Sequence, residues 1–173
     1  MPSPGRAPGS PRPMTRLLLI LLALLTSCAP ALPVFLTARS ASTSPRIVYA
    51  VVPHGTLPPG MTGSSRTLGG TCFVQVQAGS ENALTIAHEV GHCLDGGRNR
   101  AFGEAGCVIR PYACDPAEGF ADTYALLYLE RYGQRLDVLG WPGAGDTTDP
   151  LPDPNEVTPE RLTLLLARLG TRR

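Results

Sequence analysis

The hydrophobic pattern changes period along the chain. Ile47-Val48-Tyr49-Ala50-Val51-Val52 is a run rich in β-branched residues between Pro45 and Pro53, and it predicts a strand. Thr71-Cys72-Phe73-Val74-Gln75-Val76 alternates imperfectly and predicts a second. Between them, residues 53–70 hold five Gly and three Pro and read as a loop. The period then becomes helical. Ala83, Leu84, Ala87, Val90, Gly91 and Leu94 predict a helix over 81–94, with Ser80 as N-cap and Gly96-Gly97 beyond its end. Residues 96–114 read as a loop. Asp115-Pro116-Ala117-Glu118 opens the next helix, with Asp as N-cap, Pro at N1 and Glu118 placed to close a capping box. Phe120, Tyr124, Leu127, Tyr128 and Arg131 carry that helix to Gly133. A Pro/Asp/Gly connection over 141–157 precedes a last helix, 158–173. Its stripe of Leu162, Leu165, Leu166 and Leu169 is expected to pack on the domain. The order of elements predicts a small α+β domain with a short mixed sheet.

The N-terminal pattern is an address rather than a core. Residues 1–13 are mostly Pro, Gly, Ser and Arg, and Met14 offers a better-organised start. Arg16 is followed by nine apolar residues, Leu17 to Leu25. Nine are too few to span a bilayer, which takes about 20, but they suit the apolar region of a secretory signal. Leu25-Thr26-Ser27-Cys28 resembles a bacterial lipobox, which implies lipidation of Cys28 and a membrane attachment through that lipid. Ordinary cleavage near Ala29-Pro30-Ala31 is the alternative. Residues 1–27 thus read as a signal peptide and 28–45 as a tether, with one apolar stretch at Val34-Phe35-Leu36.

Charge and cysteine content narrow the class. The chain has 15 Arg, no Lys and 14 acidic residues, which gives no support for a nucleic-acid surface. Beyond Cys28 there are four cysteines: Cys72, Cys93, Cys107 and Cys114. An even count in an exported chain reads as two disulfides, with three pairings open. No C-x2-C spacing is present, so a zinc site made of these thiolates is disfavoured.

His88-Glu89-Val90-Gly91-His92 is H-E-x-x-H within the best-defined helix. The two His are four apart, share a face and can reach one metal, while Glu89 is turned toward a water on that metal. Catalytic zinc takes a third protein ligand. Position 95 is Asp and position 98 is Arg, so the extended pattern H-E-x-x-H-x-x-G-x-x-H, with a third His at 98, is excluded. Glu118 and Asp122 lie one turn apart on the second helix and offer carboxylates. Glu118 is the favoured third ligand, with Asp122 accepting the second N–H of a ligating His. His54, Glu104 and Asp95 remain as alternatives to Glu118.

His88-Glu89-Val90-Gly91-His92-Cys93-Leu94-Asp95 and Ala117-Glu118-Gly119-Phe120-Ala121-Asp122-Thr123-Tyr124-Ala125 resemble the gluzincin metalloendopeptidases related to the catalytic domain of anthrax toxin lethal factor. The family patterns are H-E-F-G-H-A-V-D and A-E-F-F-A-E-A-F, and the likeness covers roughly residues 80–130. It implies a zincin-like fold over residues 46–140, one zinc on His88, His92 and Glu118, a base at Glu89 and an acid at Asp122 behind the ligands. It also implies an oxyanion-stabilising Tyr before the ligand Glu, for which Tyr112 is the candidate. The spacing from His92 to Glu118 is shorter than in the family, and the cysteines are additions. A Cys72–Cys93 bridge would tie the second strand to the metal helix, and Cys107–Cys114 would staple the loop carrying Tyr112. The strand at 71–76 is expected at the sheet edge beside the cleft, where an extended substrate could add. The expected protein is an exported monomer, lipid-anchored or secreted, that hydrolyses peptides or proteins with zinc. The alternative is a non-catalytic lipoprotein binding module on the same fold.

Overall fold

Strand formation starts from the two β-rich runs, which pair with each other in parallel. In the computed structural model, which describes residues 34–37 and 45–170, β2 (Arg46–Val52) runs beside β4 (Thr71–Gln77), with Arg46 opposite Thr71 and Val52 opposite Gln77. Along β4, Cys72, Val74 and Val76 point into the core while Phe73 on the other face is part-exposed. β4 therefore buries one face, with an alternating sequence as its trace, whereas β2 buries Ile47, Val48, Tyr49 and Ala50 in succession and reads as a continuous apolar run.

Two further strands complete a sheet of order β1-β2-β4-β3. β1 (Val34–Thr37) lies antiparallel to β2, within the stretch expected to be a tether. β3 (Gly63–Leu68) lies antiparallel to β4, within the stretch expected to be a loop. Its sequence, Gly-Ser-Ser-Arg-Thr-Leu, carries no apolar alternation because an edge strand with a solvated face is held by backbone pairing rather than by buried side chains. The β3–β4 hairpin closes through Gly69 and Gly70 with φ of 57° and 76°. A two-residue hairpin loop of this kind needs positive φ at both positions, which glycine adopts without steric cost. Because β3 pairs outside β4, the strand at 71–77 is internal, and β3 is the edge of the sheet among the described residues. This corrects the expectation that 71–76 flanks the cleft as an edge.

The helices cover the buried face. α1 (Ala83–Leu94) is capped by Asn82, whose side chain accepts from the Thr85 N–H at 3.0 Å. Ser80 is not the cap. Its carbonyl accepts from the Asn82 side chain in a preceding turn, where Glu81 binds back to the Gly79 N–H. The segment read as the 96–114 loop holds α2 (Gly103–Ile109) between two 3₁₀ turns, Arg98–Ala101 and Pro111–Cys114. α2 is rich in Gly and Ala, so it has no apolar stripe to reveal it. α3 (Pro116–Tyr132) is capped by Asp115, which accepts from the Ala117 N–H at 2.9 Å. α4 (Pro159–Gly170) buries Leu162 and Leu165 and ion-pairs Arg161 with Glu130 of α3 at 2.7 Å.

Two disulfides, Cys72–Cys93 and Cys107–Cys114, fix β4 to α1 and close the segment after α2. They are compatible with an oxidising, extracytoplasmic compartment. The connection after α3 is packed rather than free. Trp141 meets the Tyr49 ring edge-on at 5.2 Å, and the Tyr132 hydroxyl donates to the Pro150 carbonyl at 2.6 Å. The expected signal peptide, Cys28 and the remainder of the tether lie outside the described residues. Among the described residues, no helix is long and apolar enough to cross a membrane.

Candidate metal centre

The approach of α1 to α3 builds the site. Gly91 is the contact point: a Cβ there would stand 2.8 Å from the Ala121 Cα, closer than side chains tolerate. The missing side chain lets the helices touch, so that His88 and His92, on either side of Gly91, face Glu118. Phe120, Tyr124 and Tyr128 fill the core beneath. Gly119, the neighbour of Glu118, permits a similar close approach, since a Cβ there would lie 2.7 Å from the Phe102 ring.

Three donors converge. His88 Nε2 lies 3.1 Å from Glu118 Oε2, His92 Nε2 lies 3.2 Å from His88 Nε2, and His92 Nε2 lies 3.6 Å from Glu118 Oε1. One donor atom from each of the three residues lies within 4.8 Å of the others, an arrangement compatible with a bound metal ion. Among the described residues these three form the His/Cys/Asp/Glu group close enough to share a metal. The other candidates for the third ligand are not part of it. His54 is on the exposed 53–62 loop, Asp95 accepts from the Asn99 N–H at 2.7 Å, and Glu104 sits in the first turn of α2. Glu118 does not close a capping box with Asp115, because its carboxylate is turned to the histidines and to Tyr112 instead.

The donors lie in a cleft of about 580 Å³ with β3 as one rim and the 110–112 segment as the other. Glu89, 6 % exposed, faces β3, where a Cβ on Gly63 would come within 2.6 Å of its Oε1. Burial pushes the Glu89 carboxyl above its ordinary pKa, against the pull of His88 and of a hydrogen bond from Ser65. Burial alone would lower the pKa of His88, but Asp122 and the neighbouring carboxylates of Glu89 and Glu118 leave it raised. His92 is lowered by burial and by the charge of His88. Of the two rings, His92 is therefore the one that gives up its proton more readily.

Around the donors stand Asp122, Tyr112 and Arg110. Asp122 Oδ1 is 3.7 Å from His88 Nδ1, the nitrogen facing away from the donor cluster. The Tyr112 hydroxyl donates to Glu118. Burial and the Glu118 carboxylate raise its pKa, so the phenol remains a donor. Arg110 pairs with Asp122 at 2.6 Å and lies over the Tyr112 ring at 5.6 Å. Glu89, Glu118 and Asp122 thus line the cleft together with the Arg110 guanidinium, which pairs with Asp122. Sequence reading did not single out Arg110, Gly63 or Ser65. Arg110 belongs to no motif, and the other two lie on a strand without apolar alternation.

No family model, curated protein or solved structure matches the chain.

Proposed function

We propose that the chain is an exported, zinc-dependent endopeptidase of the gluzincin type on a zincin-like fold. The observation that carries this reading is the convergence of His88, His92 and Glu118, close enough to share one metal ion, in a cleft that also holds the buried Glu89. A binding module would need the donors but has no use for a base beside them. The lipid anchor at Cys28 rests on the lipobox alone.

His88, His92 and Glu118 would hold the ion. A zinc held there supplies Lewis acidity, which polarises a carbonyl and makes water acidic at neutral pH. Asp122 orients His88 through Nδ1 and keeps its Nε2 aimed at the cluster. Glu89 lies in the same cleft, held on its β3 side by Gly63 and Ser65, where its carboxylate takes the proton of the attacking water and returns it to the leaving amine. Tyr112 is protonated and exposed, and its O–H is free to turn from Glu118 to a substrate carbonyl oxygen as that oxygen gains charge. β3, the edge of the sheet among the described residues, offers its outer backbone groups along the rim, to which an extended peptide can add.

The test is cleavage of generic peptides by the purified chain and by Glu89→Gln. The variant is expected to hold zinc as the wild type does and to lose about 10²–10⁴ in rate. Undiminished cleavage by Glu89→Gln contradicts the reading.

A further inference from the structure

We propose that Arg110 is a positioning residue of the metal centre, acting through Asp122, and that the Cys107–Cys114 loop delivers it. This rests on the reading that His88, His92 and Glu118 hold zinc.

Asp122 presents Oδ1 to His88 Nδ1 at 3.7 Å and Oδ2 to Arg110 Nη2 at 2.6 Å. The Oδ2 atom is buried and has no aligned hydrogen bond, so the guanidinium is its counter-charge. A carboxylate turns about its Cβ–Cγ bond, and holding one oxygen fixes the direction of the other. Without Arg110, Asp122 would keep a buried, uncompensated oxygen and could turn away from His88 to reach solvent. The ligand His would then lose the partner that sets its tautomer and ring orientation.

The loop explains how Arg110 is held. Cys107 and Cys114 are seven apart and bridged, and Arg110 and Tyr112 lie between them. The base of the loop is tight, since a Cβ on Gly106 would come 2.1 Å from the Ala113 carbonyl oxygen. The Arg110 guanidinium also lies over the Tyr112 ring. One closed segment therefore sets two side chains against two different groups of the centre: Arg110 against Asp122, and Tyr112 against Glu118. Arg110 is one-third exposed, so its removal should leave the fold intact.

The experiment measures zinc affinity by competition with a chromophoric chelator, using the full chain with both disulfides formed. Wild type, Arg110→Ala, Arg110→Lys, Asp122→Asn and the Arg110→Ala/Asp122→Asn pair are compared. Arg110→Ala is expected to weaken zinc binding about 10–100-fold, as loss of a partner behind a ligand does. Its zinc-free circular dichroism at the assay temperature should match the wild type's, which shows the variant folded, and Arg110→Lys should restore some of the affinity. The pair should bind no more weakly than Asp122→Asn alone, because Arg110 acts through that carboxylate. Wild-type affinity in Arg110→Ala, or losses that multiply in the pair, overturns the inference. The readout is affinity, so the variant pattern decides the role of Arg110 whether or not the wild type cleaves peptides. A wild type that binds no zinc overturns both readings.

Discussion

Gly91 and Ala121 set the distance between the two ligand-bearing helices: a Cβ at position 91 would stand 2.8 Å from the Ala121 Cα and 3.1 Å from the Tyr124 Cβ. The histidines come from one helix and the glutamate from the other, so this approach sets the geometry of the whole donor set. Gly91→Ala should force α1 from α3 and cost about 1–3 kcal/mol, the usual penalty of overpacking. Urea unfolding and zinc content should fall together. Unchanged values of both would mean that the helix spacing does not set the site.

Gly63 and Glu89 are related in the same way across the sheet. A Cβ on Gly63 would fall 2.6 Å from Glu89 Oε1 and 2.8 Å from its Cγ, so Gly63→Ala must displace the carboxylate. The metal donors do not touch this position. The expected outcome is a lower kcat at wild-type zinc content, read by steady-state kinetics beside metal analysis. If kcat is unaffected, Glu89 is not the group that moves the proton.

The Cys72–Cys93 bridge joins β4 to α1 one residue beyond His92 and spans 21 residues. Closing a loop of that size restricts the unfolded chain by about 3 kcal/mol on the entropic account. Cys72→Ala/Cys93→Ala should lose stability of that order in denaturant titration, with a matching fall in zinc retention on warming. A midpoint equal to the wild type's would show the bridge to be dispensable.

The legible regions of the fold were those where apolar burial leaves a period. β4, α1 and α4 bury one face, while β2 and α3 are buried on most sides and are marked by a β-branched run and by a capped, apolar-spaced segment; Ile47, Val74, Val90, Leu127 and Leu162 are buried residues of the five elements. β3 and α2 were not legible. One is held by backbone pairing at a solvated edge, and the other is a short helix of small residues tied by a disulfide. The mistaken edge assignment of β4 follows from missing β3. The cap of α1 moved from Ser80 to Asn82 because both residue types cap well, and the choice depends on the turn before them. In the site, His88, Glu89 and His92 are contiguous enough to be read as a motif, and Glu118 and Asp122 follow as carboxylates one turn apart. Arg110 approaches Asp122 only because the chain reverses through the Cys107–Cys114 loop, which no local pattern encodes.

The most direct test of the proposed activity is metal removal. The full chain, with its disulfides formed, is assayed on a mixed peptide library before chelation, after chelation and after zinc is returned. Three donors close enough to share one ion, beside a buried base, predict internal cleavage of peptides that stops on chelation and returns with about one zinc per chain. Cleavage that survives complete removal of the metal, or a zinc-loaded chain that cleaves nothing in the library, would contradict it.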